Sequence, residues 1–402
     1  MSKSPSPRPL GPEGDTEQAA DIVVDPAYEL RERDAPDNDS LANSEATSTQ
    51  SITSSVLRFR ELHGRTYQNY EGAEYWQPND EKQNDGLDLQ HHMMLLLAEN
   101  RLFRSPLENP QSVLDVGTGT GLWAIDFADQ FPSATVIGTD ISPIQPPWLP
   151  PNCRFEIDDA TLDWTYAEGQ FDFIHMRYLT GSIPDWKKVY EQAYRCLKPG
   201  GWLEHTDFTI EVCCDDGSVP KGTTYDWWSQ FFVDAGNKIG RTFLVTKDNQ
   251  NAGWMKEAGF TGPIHIKNHK MPIGTWPADK ALKEVGAFNQ VACEQGLEGF
   301  GVFLGTQVLN YNFEELQVIF AQMRQCIRNK SYHAYYPAYA PPSAVIHWDR
   351  ANDRIVRRHG RRSLLPRDRS PLLCREICHC FLIGVLAVIH VPVQIPIDSG
   401  LV

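Results

Sequence analysis

The stretch from Val113 to Phe127, VLDVGTGTGLWAIDF, decides the fold of this 402-residue chain. An apolar run typical of a buried strand precedes the glycines, and an amphipathic run typical of a helix follows them. Because glycine has no Cβ atom, Gly117, Gly119 and Gly121 allow a tight turn and a close approach of a ligand to the backbone. The helix N-terminus would add exposed N–H donors. The segment therefore predicts a strand–loop–helix unit that binds a small ligand.

Strand and helix patterns alternate on both sides of this unit. A helical pattern over Leu87 to Phe103 comes first, and the helical WKKVYEQAYRCL (186–197) comes later. The further strand patterns are ATVIGTD (134–140), CRFEIDD (153–159), FDFIHMR (171–177) and WLEHTDF (202–208). This alternation predicts an α/β fold, with a mostly parallel sheet and helices on both faces. Right-handed crossovers place the carboxyl ends of the strands along one edge, where ligands of such sheets bind.

The residues at that edge indicate which ligand it binds. A dinucleotide fingerprint would need a third glycine at position 122, which is Leu122, and Asp115 would repel a pyrophosphate. Asp140 can accept from both ribose hydroxyls and Asp159 from an adenine amino group. An adenosyl ligand without phosphates fits, so S-adenosylmethionine is favoured over the nicotinamide dinucleotide of an oxidoreductase. The predicted cofactor-binding residues are Asp115, Gly117, Thr118, Gly119, Gly121, Asp140, Ile141, Asp159 and Ala160.

Composition limits the classes of partner. The net charge of −15 argues against nucleic-acid binding, which needs a basic surface. Scattered cysteines and a polar N-terminus predict an intracellular protein of the cytoplasm or nucleus. The apolar run Phe381 to Ile389 is too short to span a bilayer, so no membrane partner is expected. The cluster CREICHC (374–380) lacks a second ligand pair, so no metal site is expected.

The composition also divides the chain into three segments. Residues 1–55 are rich in Ser, Pro and acidic residues, which predicts a disordered leader. Residues 56–340 carry the alternating pattern and form the predicted catalytic domain. Residues 341–402 turn Arg-rich and then apolar, and RRHGRR (357–362) is a nuclear import signal, a phosphate-binding patch or a solvated basic segment. We expect this tail to lie outside the fold, and the abrupt change favours a gene-model error as its origin.

VLDVGTGTG, VIGTDISP, FEIDDA and LKPGGWLE resemble, in that order, the motifs of class I S-adenosylmethionine-dependent methyltransferases. EYWQPNDEKQNDGLDLQHH and GLEGFGVFLGTQVL further resemble the fungal LaeA-like methyltransferases of secondary metabolism and its regulation. The resemblance implies a Rossmann-like, seven-stranded sheet whose last strand is antiparallel, with PIHIKNHKMPI and SYHAYYPAY as the final two strands. It also implies that Asp115 and the glycines meet the methionine end of the cofactor. An N-terminal arm would cover the cofactor, with Tyr67, Tyr70 or the QHH segment contributing.

The resemblance leaves the acceptor and the catalytic groups open. His175 is a candidate base or a hydrogen-bonded core histidine, and Arg177 either orients an anionic acceptor or forms an ion pair. His205 is a third candidate of the same kind. An aromatic insert, Trp227, Trp228, Phe231 and Phe232, either walls an acceptor pocket or packs in the core. Two functions remain: a methyltransferase for a small-molecule acceptor, and a nuclear regulator of metabolite gene clusters that acts through a protein complex.

Overall fold

The computed structural model describes residues 16–17, 21–24, 59–69, 75–260 and 264–339. The predictions for Tyr70, for most of the 1–55 leader and for the 341–402 tail with its cysteine cluster lie outside these residues. The strands are β1 (Thr16–Glu17), β2 (Arg60–Leu62), β3 (Arg65–Tyr67), β4 (Ser112–Val116), β5 (Thr135–Asp140), β6 (Cys153–Ile157), β7 (Phe171–Arg177), β8 (Leu197–Phe208), β9 (Ile266–Pro272) and β10 (Tyr335–Tyr339). The α-helices are α1 (Glu81–Leu97), α2 (Leu122–Gln130), α3 (Trp186–Cys196), α4 (Thr224–Ile239), α5 (Gln250–Glu257), α6 (Lys280–Phe303) and α7 (Phe313–Arg328).

The main sheet confirms the predicted architecture. Its strand order is β1-β9-β10-β8-β7-β4-β5-β6. The pairs β4–β5, β4–β7, β5–β6 and β7–β8 are parallel, and β10 runs antiparallel to both β8 and β9. The seven expected strands are therefore present, with the last one reversed. The eighth, the two-residue β1, adds to β9 from within the stretch expected to be a disordered leader.

Helices cover both faces of this sheet because successive strand residues point to opposite sides. On one face, Val113 packs in a cluster with Trp123 and Phe127 of α2. On the other face, Leu114 packs with Val189 of α3. The apolar run of β4 is thus buried on both sides, as a central parallel strand requires. Its carboxyl end, where the glycine loop begins, is held from both faces.

The first helix begins and ends earlier than the predicted span of Leu87 to Phe103. The Asp80 side chain caps α1 by accepting from the Gln83 backbone N–H, and its oxygens also bind the Arg65 guanidinium at 2.5 and 2.8 Å. After Leu97 the chain turns, since Glu99 and Asn100 both have φ +59°. Leu87, Gln90 and His91 of α1 line the cleft at the carboxyl ends of the strands.

A second helical layer, not predicted in detail from the sequence, consists of α4, α6 and α7. Its shared core contains Trp228, Phe232, Val302, Phe320 and Met323. A Cβ atom on Gly301 would lie 2.6 Å from the Phe320 ring, so this glycine lets α6 and α7 approach closely. The layer forms one wall of the cleft at the carboxyl ends of the strands.

Candidate functional site

The glycine loop between β4 and α2 forms the floor of the cleft. Gly117, Gly119 and Gly121 have φ values of +68°, +58° and +84°, which side-chain-bearing residues rarely adopt. A Cβ atom on Gly117 would lie 2.3 Å from Leu179 Cδ2, whereas the nearest atom to one on Gly119 is 3.5 Å away. Gly117, Thr118 and Gly119 line the cleft. Gly121 instead makes room for the Phe155 ring, which would lie 2.2 Å from a Cβ atom at this position. It is also the N-cap residue of α2.

Asp140 lies at the carboxyl end of β5, directly beside this loop. Its Oδ2 atom accepts from the Gly119 N–H at 2.8 Å and its Oδ1 atom from the Ser142 N–H at 2.9 Å. A carboxylate has about four acceptor positions, so one further bond to each oxygen is available. Burial raises the pKa of Asp140 to about 6, although hydrogen bonds from the backbone N–H groups of Ser142, Gly119 and Ile141 lower it. Ile141, the next residue, also lines the cleft.

The third strand tip contributes Asp158, Asp159 and Ala160. The Oδ1 atom of Asp159 accepts from the backbone N–H and the hydroxyl of Thr161 at 2.9 and 2.7 Å, and no bond to its Oδ2 atom occurs among the described residues. Desolvation raises the pKa of Asp158, whose carboxylate caps the Asp159 N–H. Asp159 thus has an uncommitted oxygen at the cleft, next to the Ala160 backbone.

Asp115 is fixed from two sides. One oxygen accepts from the Thr118 hydroxyl at 2.5 Å, and the other lies 2.7 Å from Nδ1 of His175. The His175 ring also stacks on Trp123, with centroids 3.8 Å apart. Burial lowers the pKa of His175 despite the neighbouring carboxylate, so the imidazole is neutral at neutral pH and donates its Nδ1 proton to Asp115. His175 therefore lines the cleft as a partner of Asp115.

Arg177 belongs to a chain of hydrogen bonds rather than to an ion pair. Its Nη2 atom donates to Nδ1 of His91 at 2.8 Å, and Nε2 of His91 lies 3.0 Å from Asp126 Oδ2. Because Arg177 can only donate, this chain places the His91 proton on Nε2. Desolvation lowers the pKa values of both Arg177 and His91. The chain ties α1 to β7 and α2 at the rim of the cleft.

The structure does not place His205 in the cleft lining. Its side chain is fully buried, with Nδ1 2.8 Å from the Tyr190 hydroxyl and Nε2 3.3 Å from Asp207. Its ring stacks on Trp186. Tyr67, expected in a covering arm, is also fully buried, in contact with Phe303. Neither residue lines the cleft.

The four aromatic residues of the insert divide between the two roles that the sequence left open, which are lining a pocket and packing in the core. Trp228 and Phe232 of α4 line the cleft. Trp227 and Phe231, on the adjacent helix face, pack with Tyr311. The insert is therefore both a wall of the cleft and part of the core.

The sequence analysis assigned no site role to several residues that line the cleft, because segments that are distant in the chain bring them together. They include Tyr75, Trp76, Tyr178, Thr180, Met271 and Asn289. Trp76 Nε1 and Thr180 Oγ1 have no hydrogen-bond partner among the described residues. One signal was available: the QHH segment, of which Gln90 and His91 line the cleft.

The comparisons with known proteins identify the family. Residues 89–264 match a family model described as a methyltransferase domain. Methyltransferase pytC of Aspergillus terreus is 38% identical over 317 residues, covering 78% of this chain and 97% of pytC. The secondary metabolism regulator LAE1 of Cochliobolus heterostrophus is 32% identical over 280 residues, covering 68% of this chain and 90% of LAE1. The chain belongs to the LaeA-like class I methyltransferases. The probable methyltransferase tdiE of Emericella nidulans is 33% identical over 273 residues, covering 66% of this chain and 84% of tdiE.

Membership in this family makes the chain an S-adenosylmethionine-dependent methyltransferase and excludes the dinucleotide oxidoreductase. No helix among the described residues has both the length and the apolarity needed to cross a membrane. The same residues contain no group of three His, Cys, Asp or Glu side chains placed to hold a metal ion.

Proposed function

We propose that this methyltransferase acts on a small-molecule acceptor in fungal secondary metabolism. One observation carries the proposal: a single cleft has acidic strand ends on one side and an apolar, aromatic wall on the other. The acidic side suits a cationic nucleoside without phosphates, and the apolar side suits a small organic molecule. The relatives named methyltransferase pytC and probable methyltransferase tdiE support the same assignment.

The residues present fit S-adenosylmethionine. Asp140 keeps free acceptor positions for two ribose hydroxyls, and the uncommitted oxygen of Asp159 can accept from the adenine amino group. The open space over Gly119 admits a ligand close to the backbone. The methionine end would lie by Asp115 and Gly117. These assignments extend to Thr118, Ile141 and Ala160 as neighbours that complete the binding surface.

The bound cofactor supplies an electrophilic methyl group on a sulfonium centre. The chain contributes alignment and exclusion of water, which carry much of the catalysis in such a displacement. Asp140 and Asp159 would orient the nucleoside, while Trp228 and Phe232 shield the acceptor side from solvent. His175 donates its Nδ1 proton to Asp115, which holds that side chain in place beside the glycine loop.

Calorimetric titration and metabolite profiling test this function together. We expect S-adenosylmethionine and S-adenosylhomocysteine to bind the full chain, and Asp140→Asn to weaken both. A strain lacking the gene should accumulate one unmethylated intermediate that the purified protein converts. A broad loss of many unrelated products, with no accumulated intermediate, would contradict the assignment.

A broad loss of many unrelated products would instead support a regulator that acts through protein partners in the nucleus. The observation that favours it is the similarity to LAE1 and to laeA of Aspergillus niger, both named secondary metabolism regulators. Complementation of the deletion strain with Asp115→Ala separates the alternatives. Full restoration of the metabolite profile by a variant that no longer binds the cofactor would show that methyl transfer is not the required activity.

The three-segment division of the chain also remains a proposal. Limited proteolysis should leave a resistant fragment close to 56–340, while the leader of 1–55 and the tail of 341–402 are removed. Sequencing of the transcript across Tyr339 tests whether the tail is encoded. An uninterrupted mRNA would remove the suspicion of a gene-model error.

A further inference from the structure

One side of the cleft is lined by apolar and uncharged polar side chains, whereas the lining arginines, Arg177 and Arg241, lie on β7 and in the segment after α4. The residues that line this apolar side come from α4, α6, α7, β9 and β10, and none of those from these five elements is Asp, Glu, Lys or Arg. The face of α6 presents Asn289, Cys293, Leu297 and Phe300 at helical spacing. We call this surface, with Trp228, Phe232, Met271, Met323 and Tyr336, the acceptor pocket.

Two polar side chains of the acceptor pocket are already neutral and engaged. The Asn289 amide donates to the carbonyl oxygens of Met271 and Pro272 at 3.3 and 2.8 Å. Its own oxygen accepts from the Cys293 thiol at 3.5 Å. Burial raises the pKa of that thiol to about 12, so it stays protonated. Asn289 therefore holds α6 against β9, and neither group is left to recognise a charged acceptor.

Tyr178 is the exception at the border of the two sides. It follows the last residue of β7 and has φ +56°, a left-handed conformation that is strained for a tyrosine. Hydrogen bonds fix this backbone: the Tyr178 N–H donates to Thr206 at 3.1 Å, and the Leu179 N–H donates to Asp207 at 3.0 Å. The next side chain, Leu179, covers Gly117 of the cofactor loop. The strained turn thus holds Tyr178 between the glycine loop and the acceptor pocket.

The hydroxyl of Tyr178 is poorly satisfied where it lies. Among the described residues, its partner is the Met271 sulfur, at 4.0 Å. A thioether is a weak acceptor, and a carbonyl or hydroxyl oxygen is a much better one. Burial raises the pKa of the Tyr178 hydroxyl, so it keeps its proton at neutral pH and donates. Its ring is held edge-on against Phe208, which packs against Tyr336.

We propose that the acceptor pocket binds an uncharged ring compound and that Tyr178 donates a hydrogen bond to an oxygen atom of that acceptor. The inference rests on the proposed function, since it identifies the acceptor class of the same cleft. A lysine or arginine side chain of a protein substrate does not suit this surface, because its charge would be buried without a counter-charge. Tyr178 would be a substrate-contacting residue that positions the acceptor next to the cofactor loop.

Three probes with one carbon frame test the proposal on the full chain: tetralin, 1-tetralone and 1-aminotetralin. Tetralin has no polar atom, 1-tetralone adds only an acceptor oxygen, and 1-aminotetralin is a cation at pH 7.5. Their dissociation constants are measured by ligand-observed NMR in saturating S-adenosylhomocysteine. We expect tetralone to bind roughly 3- to 10-fold more tightly than tetralin, as one neutral hydrogen bond allows. We expect 1-aminotetralin to bind more weakly than tetralin.

The variant Tyr178→Phe should bind tetralin as the wild type does and lose the preference for tetralone. Tyr311→Phe, at a residue whose ring packs on Trp227 of α4 and does not line the cleft, should keep that preference. Equal affinities of tetralin and tetralone for the wild type would overturn the role of Tyr178, whether or not the variant folds. Tight binding of 1-aminotetralin, or no binding of tetralin, would overturn the acceptor class. Calorimetry with S-adenosylhomocysteine on the same sample shows separately whether the cofactor site works.

Discussion

His175 and Asp115 lie opposite each other on adjacent parallel strands, with His175 Nδ1 2.7 Å from Asp115 Oδ1. The second oxygen of the same carboxylate accepts from Thr118 in the glycine loop. Trp123, at the start of α2, covers the imidazole face. The Asp115 carboxylate thereby connects β4 to β7 and to the glycine loop. It therefore also holds the conformation of that loop.

Replacing His175 should therefore affect both folding and binding. His175→Leu leaves Asp115 buried without one of its hydrogen bonds, which costs roughly 2–3 kcal/mol of unfolding free energy. Urea denaturation measures this loss, and calorimetry should show weaker binding of S-adenosylhomocysteine. His92→Leu is the control, because His92 is exposed, does not line the cleft, and makes a ring contact with Phe288 that a leucine can replace; it should change neither quantity by much. Equal urea midpoints for the two variants would contradict the role of the pair.

The raised pKa of Asp140 predicts a pH dependence of cofactor binding. The ionised carboxylate accepts from ribose hydroxyls, and the protonated form loses that capacity. With a pKa of about 6 in the free protein, affinity should fall as pH drops through 6. At pH 5 the loss should be about 10-fold relative to pH 7.5. Calorimetry across this range measures it.

Asp140→Asn should bind weakly at every pH and lose the step near pH 6. Asp185→Asn, which alters a helix-capping carboxylate outside the cleft, should keep the wild-type step. The sign for folding is opposite to that for binding. Because the pKa of Asp140 in the folded chain lies above its ordinary value of 3.8, the native state takes up a proton first as pH falls. The stability of the ligand-free wild type relative to Asp140→Asn should therefore increase between pH 7 and pH 4.

Alanine substitutions at two glycines with similar φ angles should lower the unfolding free energy by different amounts. Gly121→Ala places a Cβ atom 2.2 Å from the Phe155 ring at φ +84°, so it should destabilise the fold by roughly 2–4 kcal/mol. Gly222→Ala has a similar φ of +81° with open space around it, and should cost only about 1–2 kcal/mol. Thermal or urea unfolding compares the two. A Gly222→Ala loss as large as that of Gly121→Ala would show that the contact with Phe155 is not what requires the glycine.

Gly119→Ala should mainly affect the ligand. Its Cβ atom would meet only Leu87, at 3.5 Å, so the stability loss should match that of Gly222→Ala. The added methyl group lies at the cleft surface, and cofactor affinity should fall at least roughly 10-fold, since a close backbone approach is blocked. Calorimetry gives the cofactor affinity, and urea unfolding of the same preparation gives the stability. The two measurements together separate the effect on binding from the effect on folding. Unchanged affinity would mean that the cofactor does not pass over Gly119.

The sheet could be predicted from the sequence because the hydrophobic patterns of strands and helices alternate clearly from Val113 to Phe208. The sequence was also sufficient to bring Asp115, Asp140 and Asp159 to one edge, because parallel strands end on the same side. The span of α1 was misjudged, since the contact of the capping Asp80 with Arg65 and the left-handed Glu99 and Asn100 depend on tertiary structure.

The acceptor side could not be predicted in the same way. Glycines within α6, such as Gly286 and Gly301, weaken the helical pattern in the sequence. They are needed because Gly286 packs closely against Gly274 and Gly301 against Phe320. Tyr178 carries no local sequence signal for a positive φ. Its conformation follows from hydrogen bonds to β8, which single-sequence patterns do not reveal.

The cofactor assignment is tested without an acceptor by titrating S-adenosylhomocysteine into the full chain, with NAD⁺ as the comparison ligand. We expect saturable binding of one S-adenosylhomocysteine per chain at pH 7.5, weakened by Asp140→Asn, and no binding of NAD⁺. A well-folded protein that binds no S-adenosylhomocysteine, or binds it equally well without the Asp140 carboxylate, would refute the assignment.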